Sequence, residues 1–78
     1  MIKEHDRVAL MADVPTRGLK AGDVAVVVMV HGDNEGYELE VFAADGHTVD
    51  VVTVTADQVR ALSGSEILSV RPLSASTG

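Results

Sequence analysis

The chain has 78 residues, no cysteine, and a net charge of −6 from twelve acidic and six basic side chains. That length holds one small core and no second domain, and the lack of thiols removes disulfides, thiolate zinc sites and a cysteine nucleophile together. An acidic chain whose bases (Lys3, Arg7, Arg17, Lys20, Arg60, Arg71) are scattered, and which has one Tyr, one Phe and no Trp, lacks both the cationic face and the stacking platform that nucleic acid requires.

The N-terminal Met1-Ile2-Lys3-Glu4-His5-Asp6-Arg7 has no apolar stretch of the kind a signal peptide needs. The longest apolar run, Val24 to Val30, is far short of the roughly 20 residues that span a bilayer. No membrane association and a cytoplasmic location are the expectation. Glu4-His5-Asp6 places a histidine between two carboxylates, but neighbours on a strand point to opposite faces, so the three do not converge on a metal. The same argument separates His47 from Asp50.

The first strand is expected over Asp6 to Ala12, with Val8, Leu10 and Ala12 on one face and Arg7, Ala9 and Met11 on the other. Pro15 lacks the N–H a central strand requires, and it opens a long irregular segment from Asp13 to Asp23. Leu19 is expected to tuck inward there, with Arg17 and Lys20 left as exposed contacts.

Val24 to His31 is a strand apolar on both faces: Val24, Val26, Val28 and Val30 alternate with Ala25, Val27 and Met29. Stiff β-branched side chains suit the pleat. A strand with one wet face reads apolar-polar instead, so a second piece of chain or a second subunit is expected to cover Ala25, Val27 and Met29.

Gly32 to Gly36 is a polar hairpin loop, and Tyr37 to Phe42 alternates as the third strand. Ala44-Asp45-Gly46 suits a turn closed by glycine at positive φ. The implied register sets Val41 against Val49, Leu39 against Val51 and Tyr37 against Thr53, with Glu40 opposite Asp50. Glu38, Glu40 and Asp50 would then share an outer acidic face, either a solvated surface or a docking patch for a basic partner.

A fourth strand over His47 to Val54 leads into a 3₁₀ turn at Thr55 to Gln58 with Thr55 as its cap. Val59 to Leu62 follows as a short strand. Ser63-Gly64-Ser65 is a linker, Glu66 to Leu73 reads as a further strand ended by Pro72, and Ser74 to Gly78 as a disordered tail. One domain over residues 1–73 results.

This order of elements resembles an SH3-like barrel, all-β, of five to six antiparallel strands with one 3₁₀ turn. His5 to Leu10, Gly18-Leu19-Lys20-Ala21-Gly22-Asp23, Tyr37 to Phe42, Asp45-Gly46 and Ala56 to Arg60 resemble a bacterial family of short proteins known only as a domain of unknown function. That family carries glycine where this chain has Ala25, which implies a backbone position that accepts a Cβ. The resemblance brings no catalytic residues, and no nucleophile–base pair, phosphate loop, metal set or cofactor site stands out. Two aromatic residues are too few for a proline-peptide groove.

The expected function is that of a non-catalytic protein-interaction module. Its partner is another protein, in the first place itself as a homo-oligomer through Ala25, Val27, Met29, Ile67 and Val70. The alternative is an accessory or neutralising subunit that docks on a basic partner through the acidic face of Glu38, Glu40 and Asp50, with Arg17 and Lys20 of the long loop as separate partner contacts. A nucleic-acid-binding barrel is disfavoured by the charge.

Overall fold

The computed structural model describes residues 1–72; the expected tail from Ser74 to Gly78, and Leu73 before it, lie outside the described residues. The described chain is all-β. Five antiparallel strands, β1 (Arg7–Leu10), β2 (Val24–His31), β3 (Gly36–Phe42), β4 (Thr48–Thr55) and β5 (Val59–Ala61), form one sheet in the order β4-β3-β2-β1-β5. No ladder joins β4 to β5, so the sheet is open. Two 3₁₀ turns interrupt it, Pro15–Arg17 in the β1–β2 loop and Ala56–Gln58 before β5; the first was not foreseen.

Alternation explains the inner face. Val8 and Leu10 of β1, Ala25 and Val27 of β2, Tyr37, Leu39 and Val41 of β3, Val52 and Val54 of β4 and Val59 of β5 make one buried cluster, joined by Leu19 from the loop. Val52 and Val59 lie on strands at opposite ends of the sheet order yet share that cluster, so the sheet is strongly curved over its own apolar face. Leu39, Val8 and Val27 are the largest side chains with no residual exposure, each worth about 1.5–3 kcal/mol of transfer from water.

Two β-bulges correct the expected faces. In β2, Val27 pairs with Leu39 but Met29 pairs with Glu38, which leaves Val28 as the extra residue. The bulge divides the expected row: Ala25 and Val27 turn into the core, Met29 turns outward at 45% exposure, and Val30 packs inward opposite Tyr37. Ala25 and Val27 are therefore already covered by their own chain and offer no docking surface. Ala25, 2% exposed opposite Val8, does accommodate its Cβ within the core.

The second bulge lies just after the β3–β4 turn. The turn has the expected form, with Gly46 at φ 93° and its N–H donating to the Ala43 carbonyl at 2.9 Å. Phe42 then pairs with Thr48, but Val41 pairs with Asp50, so Val49 is extra. Every later pair moves by one: Leu39 opposes Val52, Tyr37 opposes Val54, and Glu40 opposes Val51 rather than Asp50. A bulged strand shows two residues to one on its partner, and the inner row keeps its valines only through that insertion.

The second 3₁₀ turn is capped as anticipated. The Gln58 side chain accepts the Thr55 N–H at 2.8 Å, one half of a reciprocal capping box. Glu66 to Pro72, by contrast, form no strand. Replacing Leu39 with Ala is expected to cost about 2–5 kcal/mol in urea denaturation, whereas Val51→Ala on the outer face should stay within about 0.5 kcal/mol. Equal losses at the two positions would overturn the assignment of faces.

Candidate functional site

The segment between β1 and β2 is a compact loop built by its own polar groups. Val14 and Leu19 form an isolated bridge, the Asp13 carboxylate accepts the Ala21 N–H at 2.8 Å, and Gly18 ends the 3₁₀ turn at φ 70°. At its far end Asp23 accepts the Lys20 N–H at 2.8 Å, while the Asp23 N–H donates to the Lys20 carbonyl at 3.0 Å. Leu19 is buried as expected. Lys20 is exposed and joins the loop through its backbone.

Arg17 does not stand alone. Its Nε donates to Asp50 at 2.7 Å, a second guanidinium nitrogen closes a bidentate pair with the same carboxylate, and that nitrogen also reaches the Val51 carbonyl at 3.4 Å. The pair binds the β1–β2 loop to the start of β4. It also removes Asp50 from the expected acidic cluster. Glu38 and Glu40 remain on the outer face, Glu38 with His31 at 3.9 Å and Glu40 accepting the Thr48 hydroxyl at 2.5 Å. On that face Met29, Glu38 and Thr53 form one row, and Val26, Glu40 and Val51 the next.

The C-terminal segment forms a strap rather than the expected strand. A turn at Ser63–Glu66 reverses the chain after β5, with the Glu66 N–H on the Ser63 carbonyl at 3.2 Å. Glu66 then pairs with Arg60 of β5 at 2.5 Å. Five residues on, Arg71 donates through Nε to Asp23 at 2.8 Å, and its terminal nitrogen donates to Asp23 at 2.5 Å and to the Gly18 carbonyl at 3.0 Å. Arg60, Ala9 and the residue after Asp23, Val24, are one row across β5, β1 and β2. The strap is thus pinned on both sides of β1, and Ala9, which faces away from the core, is only 3% exposed.

Between the strap, the loop and the β3–β4 turn lies a groove of about 580 Å³ whose apolar lining includes Leu19, Val24, Val41, Phe42, Val49 and Leu68. A second cavity, about 490 Å³, sits under the strap's turn beside Asp6, Arg7 and Leu62. Ile67 and Val70 are exposed apolar side chains of the strap, at 95% and 93% exposure, and Val70 stands at the groove's border.

Electrostatics follow from these pairs. The Arg60 hydrogen bond, with the Ser63 N–H adding to it, pulls the Glu66 carboxyl down to about 2. The Arg71 hydrogen bond holds Asp23 below the usual carboxylate range, partly opposed by burial and helped by the Lys20 N–H. Arg17 does the same for Asp50. Glu4, His5 and Asp6 do not converge: His5 occupies a turn at φ 75° and Asp6 accepts the Lys3 N–H at 2.9 Å. Among the described residues no three His, Cys, Asp or Glu side chains are grouped to hold a metal, and no helix is long and apolar enough to cross a membrane.

A family model described as Domain of unknown function (DUF4926) matches residues 4–61, from the turn before β1 through the last residue of β5. The chain belongs to the DUF4926 family. The match ends where the sheet ends, so in this DUF4926 member the strap lies beyond the shared region. No curated protein and no solved structure matches the chain.

Both strap anchors use carboxylates whose folded-state pKa is depressed, so their contribution is complete above the unfolded value and lost as pH falls through the folded one. For Glu66 that window runs from 4.5 down to about 2. Leu68 methyl and Arg71 Hε resonances should move to unstructured positions across it while Leu39 methyls hold. Release already complete at pH 5 would contradict the anchoring.

Proposed function

We propose that this chain is a cytoplasmic, non-catalytic protein-interaction module on an SH3-like barrel plan, and that it associates with copies of itself through the strap. The strand order and the 3₁₀ turn between β4 and β5 support that plan. The single observation that carries the interaction reading is the exposure of Ile67 and Val70 on a segment held in place at both ends. An apolar side chain on a loose tail loses conformational freedom when it docks, whereas one on a tethered strap has already lost part of it.

Self-association also suits the charge pattern of the strap. Glu66 and Arg71 are each neutralised by the body of the protein, so the surface around Ile67 and Val70 adds little to the repulsion between two copies of net charge −6. Phe42, 44% exposed on the groove wall, extends the apolar surface beyond the strap.

A second reading rests on Glu38 and Glu40, two carboxylates on neighbouring rows of the outer face. It makes the chain an accessory subunit for a partner with a basic surface. Arg17 and Asp50 contribute less to this reading than the sequence suggested, because each neutralises the other.

Exchanging Ile67 and Val70 together for Ser is expected to lower the solution mass measured by light scattering from that of an oligomer to that of one chain, with the strand signal in circular dichroism unchanged. A wild type that already has the mass of one chain at millimolar concentration would end the self-association reading. Under the second reading, Glu38→Lys with Glu40→Lys slows association with a basic partner and removes its salt dependence.

A further inference from the structure

The backbone of β4 has two edges, and among the described residues only one is paired. In an antiparallel ladder, alternate residues direct both backbone groups to the partner strand, and those between them direct both groups away. The Ala56 N–H donates to Glu35 of the β2–β3 loop at 3.0 Å, immediately beyond the Gly36–Thr55 pair. Counting back by twos, Val54 and Val52 face β3. Val51, Thr53 and Thr55 therefore offer their N–H and C=O groups to the open side.

Two of these three positions are stoppered by side chains of the same molecule. The Val51 N–H donates to the Asp50 carboxylate at 2.8 Å, and the Val51 carbonyl receives Arg17 at 3.4 Å. The Thr55 N–H is taken by Gln58 at 2.8 Å. Thr53 lies between them. Arg17 comes from the β1–β2 loop, 33 residues earlier, and holds Asp50 across the edge.

The edge beneath these stoppers suits strand addition. Val51-Val52-Thr53-Val54-Thr55 has no charge, no proline and no glycine, and is β-branched throughout. Such a segment pairs readily with another chain when it is bare. At the other end of the sheet, β5 is only three residues long.

We propose that the open edge of β4 is a strand-addition surface for the β4 edge of a second copy, held shut by the Arg17–Asp50 pair. The edge is self-complementary about Thr53. Antiparallel pairing centred there sets Thr53 against its counterpart and Val51 against Thr55, while Val52 meets Val54 on the core side. No like charges oppose one another in that register, so the pairing adds no local repulsion to that between two copies of net charge −6. Opening requires that Arg17 leave Asp50 and the Val51 carbonyl, that the Asp50 carboxylate so freed release the Val51 N–H, and that Gln58 release Thr55. This surface is distinct from the strap, and either can operate without the other.

Four variants test it by sedimentation and by circular dichroism. Arg17→Ala removes the loop half of the lock, and Asp50→Asn removes the charge at unchanged size, so one serves if the other fails to fold. Each is expected to show at least a doubling of mass over the wild type at the same concentration. Thr53→Pro abolishes one outward N–H and no bond to β3. Added to Arg17→Ala, it should return the mass to the wild-type value; alone, it should leave the wild-type mass unchanged. Lock variants that keep the wild-type mass, association that survives Thr53→Pro, or a fall in mass on Thr53→Pro alone would each overturn the proposal.

Discussion

A sheet with no second layer has to bury its apolar face against itself. Everything else in this chain follows from that constraint. Five strands carry one inner row of mostly small, branched side chains, and the row can leave water only if the sheet bends until β4 and β5 share one cluster. Small side chains permit the bend: Ala25, Val8, Val27 and Val59 occupy the interior where bulkier residues would hold the strands apart. The two bulges belong to the same solution, since an extra residue bends a strand and sharpens its twist. Leu19 then fills the inner face from the loop side.

The bending leaves the molecule's charged residues to organise its rim. Three pairs do so: Arg17 with Asp50 and Arg71 with Asp23 join segments distant in sequence, and Arg60 with Glu66 closes the strap's turn onto β5. Exposed ion pairs contribute little to global stability, because water screens them and side-chain entropy opposes them. Their role here is local. Each fixes the position of a piece of backbone that no ladder holds, the loop in two cases and the strap in two. The apolar groove exists because those pieces stay where the pairs put them.

Much of this was legible from the residues. The bounds of β2 and the Gly46 turn follow from the β-branched run and from the need for positive φ, and the cap at Thr55 follows from its spacing to Gln58. What stayed hidden has a common cause. Alternation reveals that a strand has two faces but not where an inserted residue exchanges them, so by alternation Val28 and Val49 are ordinary strand positions and Met29 falls on the face of Ala25 and Val27. Ile67 to Val70 read as a strand because the side chains suit one; the structure attaches that segment by Glu66 and Arg71 instead. Arg17 and Asp50 each stand out in the sequence, but in separate patches. The signal that joins them is topological: the β1–β2 loop and the β3–β4 turn lie at the same end of the sheet.

Tyr37 illustrates how closely one side chain can be tied to the whole. It is 3% exposed, and its phenol oxygen accepts a hydrogen bond from Asn34 Nδ2 at 3.1 Å, while the same nitrogen donates to the Ile2 carbonyl at 2.8 Å. The ring sits in the interior and its hydroxyl touches the β2–β3 loop, which in turn holds the N-terminal segment. Because the chain has one tyrosine and no tryptophan, its ultraviolet emission on excitation beyond the phenylalanine band comes from that single ring. Nature has thus supplied this protein with a built-in optical reporter, one that responds to the interior and to the docking of the first residues through the same chromophore.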